Sequence, residues 1–222
     1  MVQLFRISAK NSILEEWMKY LELRNLLKDF TVFSLRDISM VDKTFHRRRL
    51  NEWQDKGYIK MLVKGYYIFS DLEINENVLF EISNRIYNPS YISFETALSF
   101  HGLIPESVYG ITSATSRRTY KFQTKIGKFS YRTLSPKFFF GYDIVKYNDK
   151  SFKIATLEKV LLDYFYINPQ IKARDHFLSL RINKDVLAKR LCMDRLNEFS
   201  ERFNKKSLSM RLKIFLEVMK DA

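Results

Sequence analysis

Arg47 and Arg48 precede Asn51 by four and three residues, the spacings that bring side chains onto one face of a helix. A guanidinium fork matches the O6/N7 edge of guanine, and a carboxamide matches the N6/N7 edge of adenine. These types at this spacing can therefore read bases in a DNA major groove. Around them Phe45, His46, Arg49, Leu50 and Trp53 recur at about 100° per residue on one side, while Thr44, Arg47, Arg48, Asn51 and Asp55 take the other. The pattern predicts a helix with a packing face, to which Phe45, His46 and Trp53 belong as core residues, and a reaching face. Asp42 is placed to cap its start through the side-chain carboxylate, and Gly57, after Lys56, to close it. Three consecutive arginines alone usually mark a solvated face; the caps, the period and the basic hairpin beyond Gly57 give them a context.

In that hairpin, Tyr58–Leu62 and Tyr66–Phe69 are rich in aromatic and branched residues, and Lys64-Gly65 between them reads as a tight turn. Upstream, Ile13–Leu27 carries Leu14, Trp17, Met18 and Leu21 at helical spacing, and Ser34 opens a short second helix. Three helices and a hairpin predict a winged helix-turn-helix over residues 1–71, with the third helix in the major groove. Lys43, Lys60 and Lys64 then suit phosphates, where a mobile point charge suffices.

Residues 72–222 predict a second, α+β domain: helices at Asn75–Ile86 and from Ser93 to near Gly102, then strands between Val108 and Lys153 forming an antiparallel sheet with short turns. Helix returns at Ala155–Tyr166, opening at Thr156 with Leu157, Val160, Leu161 and Tyr164 on one side. Further helices are expected at Ala173–Leu180, Lys184–Cys192, Met193–Phe203 and Ser207–Met219. From 107 to 142 there is no acidic residue, while Arg117, Arg118, Lys121, Lys125, Lys128, Arg132 and Lys137 are basic. This is either a cationic surface for nucleic acid or an acidic partner, with Tyr120, Phe122 and Tyr131 available to stack on bases, or a sheet edge kept soluble by lysine.

The net charge of +13 is spread along the chain, a field that attracts polyanions. The single cysteine, Cys192, excludes an intrachain disulfide framework and a cysteine-based zinc site, and fits a reducing cytoplasm. No apolar run reaches membrane-spanning length and the N-terminus lacks the features of a signal peptide, so a protein with no membrane partner is expected. The six glycines form no phosphate-cradling loop and the three histidines have no metal-ligand spacing. Glu158 and Asp163, five apart on a helix, point away from each other. Neither catalytic residues, nor a metal site, nor a cofactor is expected, and the chain reads as a non-enzyme.

The phrases YISFETALSFHGLIPE, VYGITSATSRRT, GKFSYRTLSPKFFFGY and ATLEKVLLDYF, in that order, resemble the C-terminal region of AbiEi-type antitoxins, regulators of the AbiE abortive-infection toxin-antitoxin systems. With the N-terminal winged helix in place, the resemblance covers nearly the whole chain, more loosely after Pro169. It implies a bacterial protein that represses its own operon by binding double-stranded promoter DNA. It also implies neutralisation of a nucleotidyltransferase-like toxin, functionally paired with it, without a tight complex. Carried over by position, the DNA-binding role falls on Thr44, Arg47, Arg48 and Asn51, the wing on Lys60, Lys64 and Gly65, and antitoxicity on Arg117, Arg118, Lys121 and Arg132. The alternative from another class is a stand-alone winged-helix transcription factor whose C-terminal domain senses a small ligand.

Overall fold

The computed structural model describes residues 19–105 and 109–221. The chain is α+β and divides into two compact units, residues 1–73 and 74–222. Of the first predicted helix, Leu14, Trp17 and Met18 lie outside the described residues.

In the first unit, helix α1 (19–26) precedes β1 (Phe33–Ser34), α2 (Leu35–Val41), α3 (Arg48–Asp55), β2 (Ile59–Val63) and β3 (Tyr66–Phe69). The strands form an antiparallel sheet in the order β1-β3-β2, with Phe33 opposite Tyr67 and Ile59 opposite Phe69. Apolar residues at helical spacing in α1 and at alternate strand positions meet in one core of Tyr20, Leu23, Leu27, Phe33, Ile38, Leu50, Trp53, Ile59, Tyr67 and Phe69. Burying a side chain of this size stabilises by about 1.5–3 kcal/mol. Tyr20 organises the centre: its ring meets Trp53 edge-on at 5.4 Å, Tyr58 at 4.7 Å and Phe69 at 6.2 Å. Helix α2 starts with a capping box. Asp37 N–H donates to Ser34 Oγ, and Ser34 N–H donates back to Asp37 Oδ2 at 2.8 Å.

The second unit runs α4 (Glu76–Ile86), β4 (Ser90–Ile92), α5 (Phe94–Phe100), β5 (Ile111–Thr115), β6 (Tyr120–Thr124), β7 (Gly127–Thr133), a 3-10 turn (Pro136–Phe138), β8 (Tyr142–Tyr147) and β9 (Lys150–Ala155). Then come α6 (Leu157–Ile167), α7 (Arg174–Ser179), α8 (Lys184–Arg190), α9 (Met193–Phe203) and α10 (Lys206–Asp221). Its six strands are ordered β6-β7-β5-β4-β9-β8. The sheet is mixed, not antiparallel as the short turns suggest: β5 pairs with β7, and β4 with β9, in parallel. The turns do make two antiparallel hairpins, β6-β7 and β8-β9. In each hairpin, however, the second strand is the apolar one. Phe129 and Tyr131 on β7, and Phe152 and Ile154 on β9, are buried, whereas β6 and β8 hold only exposed and half-buried residues. Hydrophobic burial therefore draws β7 and β9 inward and leaves the polar first strands at the edges. Strand β4 lies between the two helices expected at Asn75–Ile86 and from Ser93, where no strand is expected, and all three of its residues are buried.

Helix α4 covers one face of this sheet. Phe80 packs edge-on against Phe152 at 5.1 Å, and Tyr131 Oη–H donates to the Ser83 carbonyl at 2.8 Å. On the other face lie α5 and α6. Ser93, at the N-cap of α5, makes no side-chain cap hydrogen bond. Thr112 of β5 does so instead, its Oγ1 accepting from Thr96 N–H at 3.1 Å and donating to the Ser93 carbonyl at 2.7 Å. The first residue of α5, Phe94, is buried at φ +57°, a left-handed conformation that costs a non-glycine residue energy and persists where its surroundings fix it.

Helix α6 is buried nearly all round, so the one-sided apolar stripe expected for it is corrected: Glu158, Lys159 and Asp163 are buried with the leucines. Lys159 and Asp163, one turn apart, form a salt bridge with both side chains fully buried. Lys159 Nζ donates to Tyr91 Oη at 2.8 Å, and Asp163 Oδ2 accepts from Tyr91 Oη at 2.8 Å and Ser93 Oγ at 2.9 Å. The rings of Tyr91, Phe140 and Phe203 lie 5.0–5.3 Å from the ammonium. Burial pushes the carboxyl up and the ammonium down, and each opposes the shift of the other. Glu158 has separate partners, the amide of Cys192 at 3.0 Å and Arg195 at 3.7 Å. At the far end of α6, Arg211 donates to the carbonyls of Phe165, Asn168 and Ile171, placing a cation at the negative end of the helix dipole.

Asp163→Ala should destabilise the second unit by about 3–5 kcal/mol, because a buried ammonium loses its counter-charge. Lys159→Met combined with Asp163→Ala should lose less than the sum of the two single changes in urea melts; additive losses would show that the pair is not coupled.

His101 offers a pH test. It is buried at the C-terminus of α5, with Nε2 2.8 Å from the Ala155 carbonyl and Nδ1 buried without a partner. Burial, aided by Arg190 and opposed by Ala155, Glu158 and Asp143, holds its pKa below the usual value. The unfolded chain binds this proton first, so His101 should cost stability as pH falls from about 6.5 toward its folded value. Thermal melts of the wild type and His101→Gln should diverge in that window and run parallel above it.

Candidate nucleic-acid interface

Helix α3 carries the sequence-predicted base-reading residues, and packing fixes which way they face. Leu50 and Trp53 are buried in the core of the first unit, while Arg48, Asn51 and Asp55 on the same helix are exposed. Arg49 is half-buried, its guanidinium 6.0 Å from the ring of Phe45, which packs against Trp53 at 5.5 Å. The two faces expected from the period are therefore present along the helix itself.

Its beginning differs. The helix opens at Arg48, with Arg47 as an N-cap residue whose side chain does not cap it. Asp42 instead closes α2, its N–H donating to the Ile38 carbonyl. Its carboxylate turns the chain, accepting from Thr44 N–H at 2.8 Å and Thr44 Oγ1 at 2.7 Å, and these bonds hold its pKa below the ordinary value. A local Asx-type turn thus wins over helix extension. Lys43, Thr44 and Arg47 fall in the turn between α2 and α3, and the Thr44 hydroxyl is committed to Asp42. His46 lies in the same turn and is exposed, not core as the helical period implies. Lys43 and Arg47 are exposed beside it.

At its other end α3 stops as expected. Gly57 takes φ +72° and its N–H donates to the Gln54 carbonyl at 3.0 Å. Tyr58 N–H then donates to the Trp53 carbonyl at 2.9 Å, so β2 leaves directly from the helix end. The β2-β3 hairpin carries Lys64 exposed at its turn beside Gly65 at φ +87°, with a register shift between Met61 and Val63. Lys60 is exposed but its Nζ donates to the Ser70 carbonyl at 3.1 Å.

The exposed face of α3 also holds an ion pair that the hydrophobic period does not reveal. Arg48 Nε lies 3.3 Å from Glu52 Oε1, one turn later, with the two side chains 89% and 41% exposed. The i,i+4 spacing of opposite charges is its signal in the sequence.

In the second unit the predicted cationic residues are only partly free to act together. Arg117 stacks over the Tyr87 ring at 4.3 Å and donates to the Asn88 carbonyl at 3.3 Å. Arg132 pairs with Glu95 at 3.0 Å and lies over the Phe94 ring at 5.1 Å. Arg118 and Lys121 are exposed; Lys121 pairs in register with Ser130 on β7, two residues from Arg132, so the two cations share a sheet face. Tyr120 and Phe122 point to the opposite face, where they cluster with Tyr87 and Tyr131. Tyr131 is fully buried and belongs to the core, not to a stacking surface.

No helix among the described residues is long and apolar enough to cross a membrane. No protein-family model matches the chain, and no curated protein matches its sequence.

Proposed function

We propose that the chain is a DNA-binding repressor built on an N-terminal winged helix-turn-helix, and that it also serves as the antitoxin of a toxin-antitoxin pair. The observation that carries the DNA reading is the division of α3: Leu50 and Trp53 anchor it in a core while Arg48 and Asn51 stand exposed on the other side. In a winged helix this is the helix that enters the major groove, and the β2-β3 hairpin, with Lys64 at its turn, is the wing that meets the backbone. Arg48 and Asn51 read bases; Lys43, Arg47 and Lys64 meet phosphate. Thr44 and Lys60 contribute mainly by fixing the α2-α3 turn and the hairpin, since both are already engaged within the protein. The antitoxin role is supported by the resemblance of the second unit's phrases to AbiEi proteins. Of its cations, Arg118 and Lys121 carry the role better than Arg117 and Arg132, which hold local structure.

Binding to the DNA upstream of its own gene should weaken with salt along a log-log slope of about −0.9 per phosphate neutralised. Arg48→Ala and Asn51→Ala should each cost about 1–3 kcal/mol on that DNA and much less on random duplex; equal losses on both would reduce these side chains to phosphate contacts.

The antitoxin half is tested by growth. Cells expressing the adjacent gene from a promoter this protein cannot control should be rescued by the full chain and by an Arg48→Ala, Asn51→Ala variant alike. Failure of both, with soluble protein present, would leave a transcription factor alone.

A further inference from the structure

Resting on the DNA-binding reading, we propose that Glu52 is a specificity-determining positioning residue: its carboxylate holds Arg48 in a base-reading pose and penalises binding to unselected DNA. The geometry is the 3.3 Å contact from Arg48 Nε to Glu52 Oε1 on consecutive turns of α3. An arginine side chain that is 89% exposed has no packing to select a rotamer, and holding it still on a base edge costs side-chain entropy at binding. Glu52 is the less exposed of the two, its side chain at 41%. By engaging Nε, it leaves the two terminal nitrogens of the guanidinium, the fork that matches guanine O6/N7, for DNA.

The same carboxylate acts in the opposite sense on phosphate. Arg47, Arg48 and Arg49 are consecutive cations at the start of α3, and without a counter-charge they would hold any duplex. An acidic residue one turn along the same helix repels the backbone whatever the sequence. Specificity is a ratio: the repulsion lowers affinity for every duplex alike, and the ordered fork restores it only where the base edge matches.

The test measures binding of the full-length protein to its own upstream DNA and to a random duplex of equal length, over a salt series, for the wild type, Glu52→Gln and Glu52→Ala. Gln keeps an oxygen that accepts from Nε and removes the charge; Ala removes both. Glu52→Ala should tighten random-duplex binding and lower the specific-to-random ratio by about fivefold or more, the low end of what one base contact discriminates. Glu52→Gln should also tighten random binding but retain more of the preference than Ala does. In the Arg48→Ala background, Glu52→Ala should tighten both DNAs and leave the ratio unchanged; a further fall in the ratio there would show that Glu52 does not act through Arg48. An unchanged ratio in Glu52→Ala, with both DNAs bound more tightly by the same factor, would overturn positioning. Sequence-selective binding by the wild type with no response to either variant would overturn the inference alone, whereas absence of any preference in the wild type would overturn the DNA-binding reading beneath it.

Discussion

The second unit is organised around an ion pair that no water reaches. Lys159 and Asp163 are both fully buried on α6, and an isolated charge there would be prohibitively costly, so each needs the other and both need the hydroxyls around them. Those hydroxyls come from β4, through Tyr91, and from Ser93 just beyond that strand. The pair therefore ties the last helix of the sheet layer to the strand at the sheet's centre. Phe140 and Phe203 close around the ammonium, bringing the segment before β8 and helix α9 to the same point. Because buried polar groups are satisfied only in one arrangement, this cluster fixes register as well as contact.

Among the described residues, the first unit has no such buried ion pair in its core and relies on ring packing. Tyr20, Trp53, Phe33, Tyr67 and Phe69 draw on a helix, a second helix and two strands, so the orientation of α3 follows from the shape of an aromatic core. Trp53 links this core to the proposed base-reading face, because it anchors the same eight-residue helix that carries Arg48 and Asn51.

Much of this is legible in the sequence wherever period and caps agree. Ser34, Gly57, Lys64-Gly65 and Thr156 each mark a boundary through chemistry contained within a few residues, and the structure uses each at or next to the expected place. The failures share a cause. At Asp42 two local bonds compete, cap and turn, and a linear pattern does not say which wins. His46 goes with it, because the period places it on a face of a helix that has not yet begun. The mixed sheet, strand β4 and the Thr112 cap of α5 depend on contacts between distant segments, which leave no local period. The Lys159–Asp163 pair is visible as an i,i+4 spacing, yet spacing alone does not distinguish a buried pair from one on a solvated face, and the hydroxyls that make burial tolerable come from about 70 residues away.

The phrases that resemble AbiEi antitoxins fall largely on buried structure. YISFETALSF is β4 and α5, the stretch from Ile111 to Thr115 is β5, and ATLEKVLLDYF is the end of β9 and α6, including both members of the buried ion pair. Such residues specify how the unit packs. They say less about what its surface touches, because a surface can change while Tyr91, Lys159 and Asp163 stay in place. The resemblance consequently bears most directly on the architecture of the second unit. The exposed side chains, Arg118 and Lys121 on one unit and Arg48 and Asn51 on the other, are where function must be read. Of the two sets, only the second lies on an element whose outward face is fixed by its own buried residues, which is why the DNA-binding half of the proposal rests on geometry and the antitoxin half on likeness.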